Sequence, residues 1–335
     1  MDGRIVLETI TSEKGEYSIY EENGKKYFQK KIFANIVPEI EGYNLIRFYY
    51  DLPHLVDYNL MNQTIVYEYN EGLKNKTLHH ALFNNIPFNV DKIIDLMTFR
   101  FKDFEFKNEN LSVNSKFFIG RIKDIVNYLD ADDKLYNYNL IYKNHELGKF
   151  KSIVKSIIAG ISKNQVVPFV ISQGDPTDLN FSIDYKVTDF EVAGKNSIIN
   201  EVAIFVGCYI VNCYYFYIKY MKSPHAEFKD TLYKFKNYVK SEYSIADNNI
   251  NVSFGNLLPD NVKELILKYL ERVKNIGIIH KNFDLGVYIA LRFISPVNLN
   301  NISNEEDKII LMTLCGLFVK KYKTLNDIIK FIKEI

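Results

Sequence analysis

Three oxygen-bearing side chains, Asp175, Asn180 and Asp189, lie within one short stretch of the chain. A carboxylate can orient a hydroxyl group and accept its proton, and carboxylate and amide oxygens are ligands suited to Mg²⁺. Taken singly these residues are weak evidence, because an Asp-Pro-Thr-Asp run is typical of a solvated turn. Their order and spacing allow one loop and a following hairpin to bring all three to one place.

The stretch from Ser172 to Gly194 resembles the catalytic and metal-binding loops of the aminoglycoside phosphotransferase and choline kinase families, relatives of protein kinases. Those families carry H-G-D-x-x-x-x-N, a short hairpin and I-D-[FW]-E-x-A-G. The matching positions here are Gly174-Asp175, Asn180 and Val187–Gly194. The resemblance implies that Asp175 orients the acceptor hydroxyl, and that Asn180 and Asp189 bind Mg²⁺ against the phosphates of ATP or GTP.

The same resemblance implies a strand lysine that binds the α- and β-phosphates and a glutamate on the next helix that holds it. Lys30 aligns with the lysine, although Lys31 beside it is the alternative, since alternation along a strand sends the two to opposite faces. Glu41 aligns with the glutamate, with Glu39 as its rival. We expect Lys30 and Glu41.

Tyr67 to Gly72 resembles the hinge of these families, where backbone groups of Glu68 and Asn70 would bind the adenine edge. An edge strand that ends in a turn would have much the same sequence. Gly15 lies where the phosphate-covering hairpin is expected, but one glycine is a weak substitute for a glycine-rich loop.

Two positions depart from the family pattern: Gln173 replaces the usual histidine, and Glu201 replaces the aspartate that braces the catalytic loop. They leave open a pseudokinase that binds nucleotide or a partner without turnover. Thr177 stands where serine/threonine protein kinases carry lysine, and no A-P-E-like segment follows Gly194. We therefore expect a small-molecule alcohol as acceptor, of an aminoglycoside-, choline- or sugar-like kind, with a protein substrate as an alternative.

The elements that must position these residues can be predicted from local patterns. Asn23-Gly24 between two β-rich runs predicts a hairpin, Pro38 opens a helix, and Thr64–Tyr69 reads as a strand. Helical periods dominate after Gly72, and Asn248–Asn256 reads as a loop. We expect an α+β, bilobal, protein-kinase-like fold with a small β-rich N-lobe (1–72), a large mainly helical C-lobe (73–335), and nucleotide bound between them.

The composition and local sequence patterns argue against several kinds of partner and site. The chain has 42 basic and 41 acidic residues, a net charge of +1, so no global field attracts it to nucleic acid or an anionic membrane. Its 3 cysteines favour neither a disulfide framework nor structural zinc, and the N-terminus lacks a signal-peptide pattern. The apolar run Val202–Ile218 is short for a membrane span and predicts a buried helix. We expect a cytoplasmic protein without nucleic-acid or membrane partners; the pattern leaves its oligomeric state open.

Overall fold

The computed structural model describes residues 4–11, 15–69, 76–111, 116–220, 241–295, 298–302 and 304–335, and the side chains of residues 10, 116–120, 212–220 and 301 are outside this description. The chain divides into two compact units. The first unit is Met1–Leu96 with Ile171–Lys195, and the second unit is Met97–Val170 with Asn196–Ile335. The boundary predicted after Gly72 lies outside the described residues. Residues 76–96 and 171–195 group with the N-terminal strands rather than with the C-terminal part.

The described strands are β1 (Ile5–Thr11), β2 (Gly15–Glu22), β3 (Lys25–Ile32), β4 (Leu55–Asn59), β5 (Thr64–Glu68), β6 (Glu105–Glu109), β7 (Asn139–Tyr142), β8 (His145–Lys149), β9 (Gln165–Ser172), β10 (Gly194–Ser197), β11 (Ser241–Ala246) and β12 (Asn249–Phe254). They form a five-stranded sheet in the order β1-β2-β3-β5-β4, a three-stranded sheet β10-β9-β6 and a four-stranded sheet β11-β12-β7-β8.

The described α-helices are α1 (Val37–Ile46), α2 (Leu78–Phe83), α3 (Val90–Thr98), α4 (Lys116–Asp130), α5 (Phe150–Ile161), α6 (Ile198–Tyr220), α7 (Asp260–Ile276), α8 (Gly286–Ile294), α9 (Glu305–Lys320) and α10 (Leu325–Glu334). Short 3₁₀ helices cover Phe99–Asp103, Lys134–Asn137 and Leu299–Asn301. The prediction of a β-rich N-terminal part followed by a mainly helical part is confirmed.

The five-stranded sheet of the first unit is antiparallel throughout. The β2–β3 hairpin turns at Asn23 and Gly24, whose φ angles of 53° and 73° are both positive, as the Asn-Gly pair predicts. Helix α1 carries Pro38 in its first turn and buries Ile40, Tyr43 and Ile46. The ring of Tyr43 lies 6.0 Å from that of Tyr67 on β5, so helix and sheet share an aromatic core.

The second unit is built around buried helices. Nearly all of α8 and α9 is buried, as are the described side chains of α6 from Ile198 to Val211. The rings of Phe205 on α6 and Tyr269 on α7 stack with centroids 3.8 Å apart. The prediction that this part of α6 is a buried helix agrees with these side chains. No helix among the described residues is long and apolar enough to cross a membrane.

The prediction of a loop at Asn248–Asn256 is wrong. Residues there form β12, which pairs antiparallel with β11 and parallel with β7. The inward side chains Ile250, Val252 and Phe254 alternate along the strand, and Asp247 and Asn248 turn the hairpin with φ angles of 49° and 60°. The many asparagines of this segment hid its alternation of apolar and polar residues.

Candidate active site

The loop after β9 brings the side chains of Asp175 and Asn180 into hydrogen-bonding contact. The Asn180 side-chain amide donates from Nδ2 to Oδ2 of Asp175 and to the Asp175 carbonyl, at 3.0 Å each. Backbone bonds from Thr177 N to the Asp175 carbonyl (2.7 Å) and from Asn180 N to the Thr177 carbonyl (3.2 Å) form the turn between them. The spacing of the two residues therefore places both side chains on one side of a tight loop.

A short hairpin returns the chain from Asn180 to Asp189. Phe181 and Val187 form a β-bridge, and Thr188 N donates to the Asn180 carbonyl at 2.9 Å. Asp189 has a φ of 60°, in the left-handed region that a non-glycine residue enters at an energetic cost. Such strain is retained where the surroundings impose it, and here it orients a carboxylate toward Lys30.

Lys30 and Glu39 form the central ion pair of the first unit. Nζ of Lys30 donates to Oε1 of Glu39 at 2.7 Å and lies 3.6 Å from Oδ1 of Asp189. The Lys30 and Glu39 side chains are 13% and 2% exposed, whereas that of Asp189 is 47% exposed. The lysine thus stands between a buried carboxylate and a solvent-accessible one.

Glu39 also ties the ion pair to its surroundings. Its Oε1 accepts a bond from the Tyr67 hydroxyl at 3.0 Å, and its Oε2 accepts one from Phe190 N at 3.3 Å. A buried carboxylate requires such partners, because an unpaired one would be strongly destabilising. Glu39 therefore connects β3, β5 and the segment that carries Asp189.

The electrostatics of this pair keep the lysine charged. Burial alone would lower the pKa of Lys30, but the charges of Glu39 and Asp189 outweigh burial and raise the pKa above its ordinary value. Burial raises the pKa of Glu39, and the Lys30 ammonium acts in the opposite direction. Burial likewise raises the pKa of Tyr67, with the charge of Glu39 adding to it. Lys30 is therefore a permanent cation near neutral pH.

The structure corrects the choice of helix glutamate from Glu41 to Glu39. Glu41 is exposed, whereas Glu39 is 1% exposed and contacts Lys30. Successive residues of a helix are rotated by about 100°, so positions two apart point in nearly opposite directions and only one can face the sheet. Lys30, the lysine favoured over Lys31, is the one that contacts Glu39, and Lys31 is exposed.

Gly42 explains how α1 comes so near the segment after Asp189. A Cβ atom at position 42 would lie 2.0 Å from the Phe190 carbonyl oxygen and 3.0 Å from the Ala193 methyl group. Phe190 also packs its ring edge-on against Tyr43, with centroids 5.4 Å apart. Backbone contact at Gly42 and ring packing together hold Glu39 within reach of Phe190 N.

Gln173 joins the two loops that carry the polar residues. Its Nε2 donates to the Asp189 carbonyl at 2.7 Å and to the Thr188 carbonyl at 3.3 Å, and its Oε1 accepts a bond from Asp175 N at 2.8 Å. The side chain is 2% exposed. An uncharged amide thus supplies donors and an acceptor at the position where the family pattern has histidine.

We predict that Gln173→Leu lowers stability by about 1–3 kcal/mol, because Asp175 N and the Asp189 carbonyl then lose a buried partner. Under the function proposed below, turnover should fall at least tenfold, while Gln173→His should retain more of it. Thermal unfolding and steady-state kinetics of both variants test this. Wild-type turnover in Gln173→Leu would show that the link between the loops does not matter.

The structure also gives the positions of Glu68, Gly15 and Glu201, the other residues considered in the sequence analysis. Glu68 ends β5, and its N–H is donated to the His54 carbonyl at 2.9 Å, so that N–H is engaged within the sheet. Asn70 lies outside the described residues. Gly15 begins β2, where a Cβ would lie 2.3 Å from the Lys31 carbonyl oxygen, which is a structural reason for glycine there. Glu201 is buried in the first turn of α6.

An aromatic pair beside Lys30 was not anticipated from the sequence. Tyr17 and Lys30 are partners across β2 and β3, and Phe28 precedes Lys30 by two positions on the same face. The rings of Tyr17 and Phe28 stack within 8° of parallel, with centroids 6.3 Å apart. The alternation of side chains along the strand that carries Lys30 was the signal that could have identified them.

The oxygen donors present suit Mg²⁺ when phosphates complete its coordination. Among the described residues no group of three or more His, Cys, Asp or Glu side chains is placed to hold a metal ion. Mg²⁺ in nucleotide sites is characteristically held by one or two carboxylates together with phosphate oxygens and water. The half-exposed carboxylate of Asp189 and the side-chain oxygen of Asn180 are compatible with that pattern.

No protein-family model and no curated protein matches the sequence. Solved structures that are similar include a protein from Ralstonia eutropha JMP134 assigned as an aminoglycoside phosphotransferase, 10% identical, with TM-score 0.47 over 96% of this chain and 94% of that one. Choline kinase LicA from Streptococcus pneumoniae is 12% identical, with TM-score 0.43 over 95% and 94%. A choline/ethanolamine kinase family protein from Mesorhizobium loti is 12% identical, with TM-score 0.40 over 92% of each chain.

Proposed function

We propose that this protein is an ATP- and Mg²⁺-dependent phosphotransferase that phosphorylates a hydroxyl of a small molecule. The observation that carries the proposal is a single hydrogen-bonded network within the first unit. Lys30 donates to Glu39, and Glu39 accepts a bond from Phe190 N. Gln173 donates to the Asp189 carbonyl of the same peptide group and accepts a bond from Asp175 N. The network thus links a cation, Lys30, to a candidate base, Asp175. It also includes the candidate metal ligands Asn180 and Asp189.

The roles follow from the chemistry of phosphoryl transfer, in which catalysis is mainly positioning and electrostatic stabilisation. Lys30, held charged by Glu39 and Asp189, would bind phosphate oxygens and offset their negative charge. Asp175 would orient the acceptor hydroxyl and accept its proton. The Asn180 amide, bonded to Oδ2 of Asp175, limits the directions that this carboxylate can take.

Asn180 and Asp189 would hold the magnesium ion. When bound, Mg²⁺ neutralises phosphate charge and fixes the orientation of the polyphosphate. The stacked rings of Tyr17 and Phe28 lie on the same strand face as Lys30 and offer an apolar surface to a purine base. ATP is therefore the phosphate donor we propose. GTP is the alternative, since guanine could lie on the same surface.

The acceptor class rests on sequence features of the loop. Thr177 is buried and follows Asp175 by two positions, where a protein kinase would present a lysine. We therefore favour an aminoglycoside-, choline- or sugar-like alcohol. The pseudokinase alternative drew on Gln173, yet that residue keeps the two loops joined through three hydrogen bonds. We therefore expect turnover.

The first test is a thermal-shift screen of small alcohols and antibiotics in the presence of Mg²⁺ and a non-hydrolysable ATP analogue. A ligand present at 100 times its Kd stabilises a folded protein by about 2.7 kcal/mol, which is readily measured as a rise in Tm. We expect the analogue with Mg²⁺ to raise Tm, and EDTA to reduce that rise. An acceptor would raise Tm further.

Each hit is then assayed for transfer of labelled γ-phosphate. Label on the small alcohol supports the proposal, whereas label only on protein would replace it with the protein-kinase alternative. Nucleotide binding with no transfer to any acceptor class would favour the pseudokinase. Absence of any Mg²⁺–nucleotide shift would overturn the proposed function.

A further inference from the structure

A second contact surface of the Asp175–Asn180 loop lies on the segment that begins α2. Leu78 N donates to the Phe181 carbonyl at 2.7 Å, and Ile183 N donates to the Lys76 carbonyl at 2.8 Å. Thr77 and Ser182 form a β-bridge between these bonds. The backbone at residues 76–78, where α2 begins, therefore pairs with the chain that leaves Asn180.

His79 and Asp178 form a buried pair at the end of this contact. Nδ1 of His79 lies 2.6 Å from Oδ2 of Asp178, and His79 N donates to the Asp178 carbonyl at 2.9 Å. His79 is 2% exposed and Asp178 is 1% exposed. The imidazole also packs on Phe83, with ring centroids 4.0 Å apart. One residue of α2 thus binds both the side chain and the backbone of Asp178.

The position of Asp178 within the loop gives this pair its importance. Asp178 lies between Thr177 and Asn180, inside the turn that brings Asn180 against Asp175. A buried carboxylate is strongly destabilising without hydrogen-bonding partners, so the loop is held where His79 can reach it. Gln173 fixes the start of the loop and His79 fixes its far side.

We propose that His79 and Asp178 are positioning residues that set the orientation of Asp175 and Asn180 for catalysis. The proposal rests on the phosphotransferase function proposed above. Neither residue need touch a substrate, because both act through the backbone of the loop. Since displacement of a catalytic group by about 1 Å can lower rates about 10²-fold, loss of the pair should appear mainly in kcat.

The test uses two replacements of His79 that separate packing from hydrogen bonding. His79→Phe keeps a ring against Phe83 but removes the donor, and His79→Asn places an amide donor near the position of Nδ1. We expect kcat to fall about 10- to 100-fold in His79→Phe, with KM for ATP changed less than about twofold. His79→Asn should recover most of the lost kcat.

Lys76→Gln is the matched control. Lys76 pairs with Asp184 at 2.7 Å across the same two segments, but the side chains are 47% and 42% exposed. Exposed pairs contribute about 0–1 kcal/mol, so kcat should stay at the wild-type value. Should His79→Phe not fold, His79→Gln replaces it, because its amide reaches the Nε2 position and leaves the Asp178 contact broken.

The outcomes separate this proposal from the proposed function. Wild-type transfer with a selective kcat loss in His79→Phe, restored in His79→Asn, supports positioning. Wild-type transfer with unchanged kcat in His79→Phe, even at a lowered Tm, overturns positioning and leaves the phosphotransferase intact. Absence of transfer by the wild-type protein overturns the function and, with it, any kinetic role for the pair.

Discussion

Asp175→Asn is expected to lower phosphoryl transfer by roughly 10²–10⁴-fold, the range for loss of a positioned general base. The asparagine can still bond to Asn180 but cannot accept the proton of the acceptor hydroxyl. Lys30, Glu39 and Asp189 do not depend on Asp175 for their contacts, so nucleotide affinity should stay near the wild-type value. Single-turnover kinetics and calorimetric titration with an ATP analogue measure the two effects separately.

Asp184→Asn is the control for Asp175→Asn. Asp184 lies on the hairpin between Asn180 and Asp189, and its exposed carboxylate pairs with Lys76. This variant should show wild-type kinetics. If Asp175→Asn retained more than about one tenth of wild-type turnover, Asp175 could not be the base. Loss of both turnover and nucleotide binding would instead point to a misfolded loop.

Glu39→Gln and Glu41→Gln should behave very differently. In Glu39→Gln, Lys30 loses the buried charge that opposes its desolvation, and Phe190 N loses a charged acceptor. We expect kcat/KM to fall about 10²–10³-fold, as when one preorganised electrostatic group is removed from an active site. Glu41→Gln changes an exposed side chain and should leave kcat/KM within about twofold.

Steady-state kinetics and thermal unfolding of the two glutamine variants decide between the two helix glutamates. Breaking a buried ion pair is destabilising by about 3–5 kcal/mol, so a clear drop in Tm should accompany the kinetic loss in Glu39→Gln alone. Equal kinetic losses in both variants would contradict the correction. A loss confined to Glu41→Gln would restore the assignment first made from the sequence.

Local chemistry explains why much of the site could be predicted from the sequence. The Asn-Gly turn determines the β2–β3 hairpin because both positions need positive φ, and Pro38 marks the first turn of α1. The contact between Asp175 and Asn180 is also local, since it spans a single turn. Such features need no information about distant parts of the chain.

Other features depended on which face of an element meets its neighbour. The choice between Glu39 and Glu41 is a choice of helix phase, and that phase depends on tertiary packing such as that of Gly42 and Tyr43 on Phe190. Strand β12 is a further case, because its pairing with β7 joins residues far apart in sequence. Propensity alone does not anticipate such pairing.

The sequence by itself indicated the β2–β3 hairpin, helix α1 and strand β5, and it singled out Asp175, Asn180, Asp189 and Lys30 as candidate site residues. Only the tertiary structure decided that Glu39 holds Lys30, that Gln173 joins the two loops, and that His79 holds Asp178. The reason is physical: turns and caps are satisfied within a few residues, whereas a buried charge or amide must find partners wherever the fold brings them.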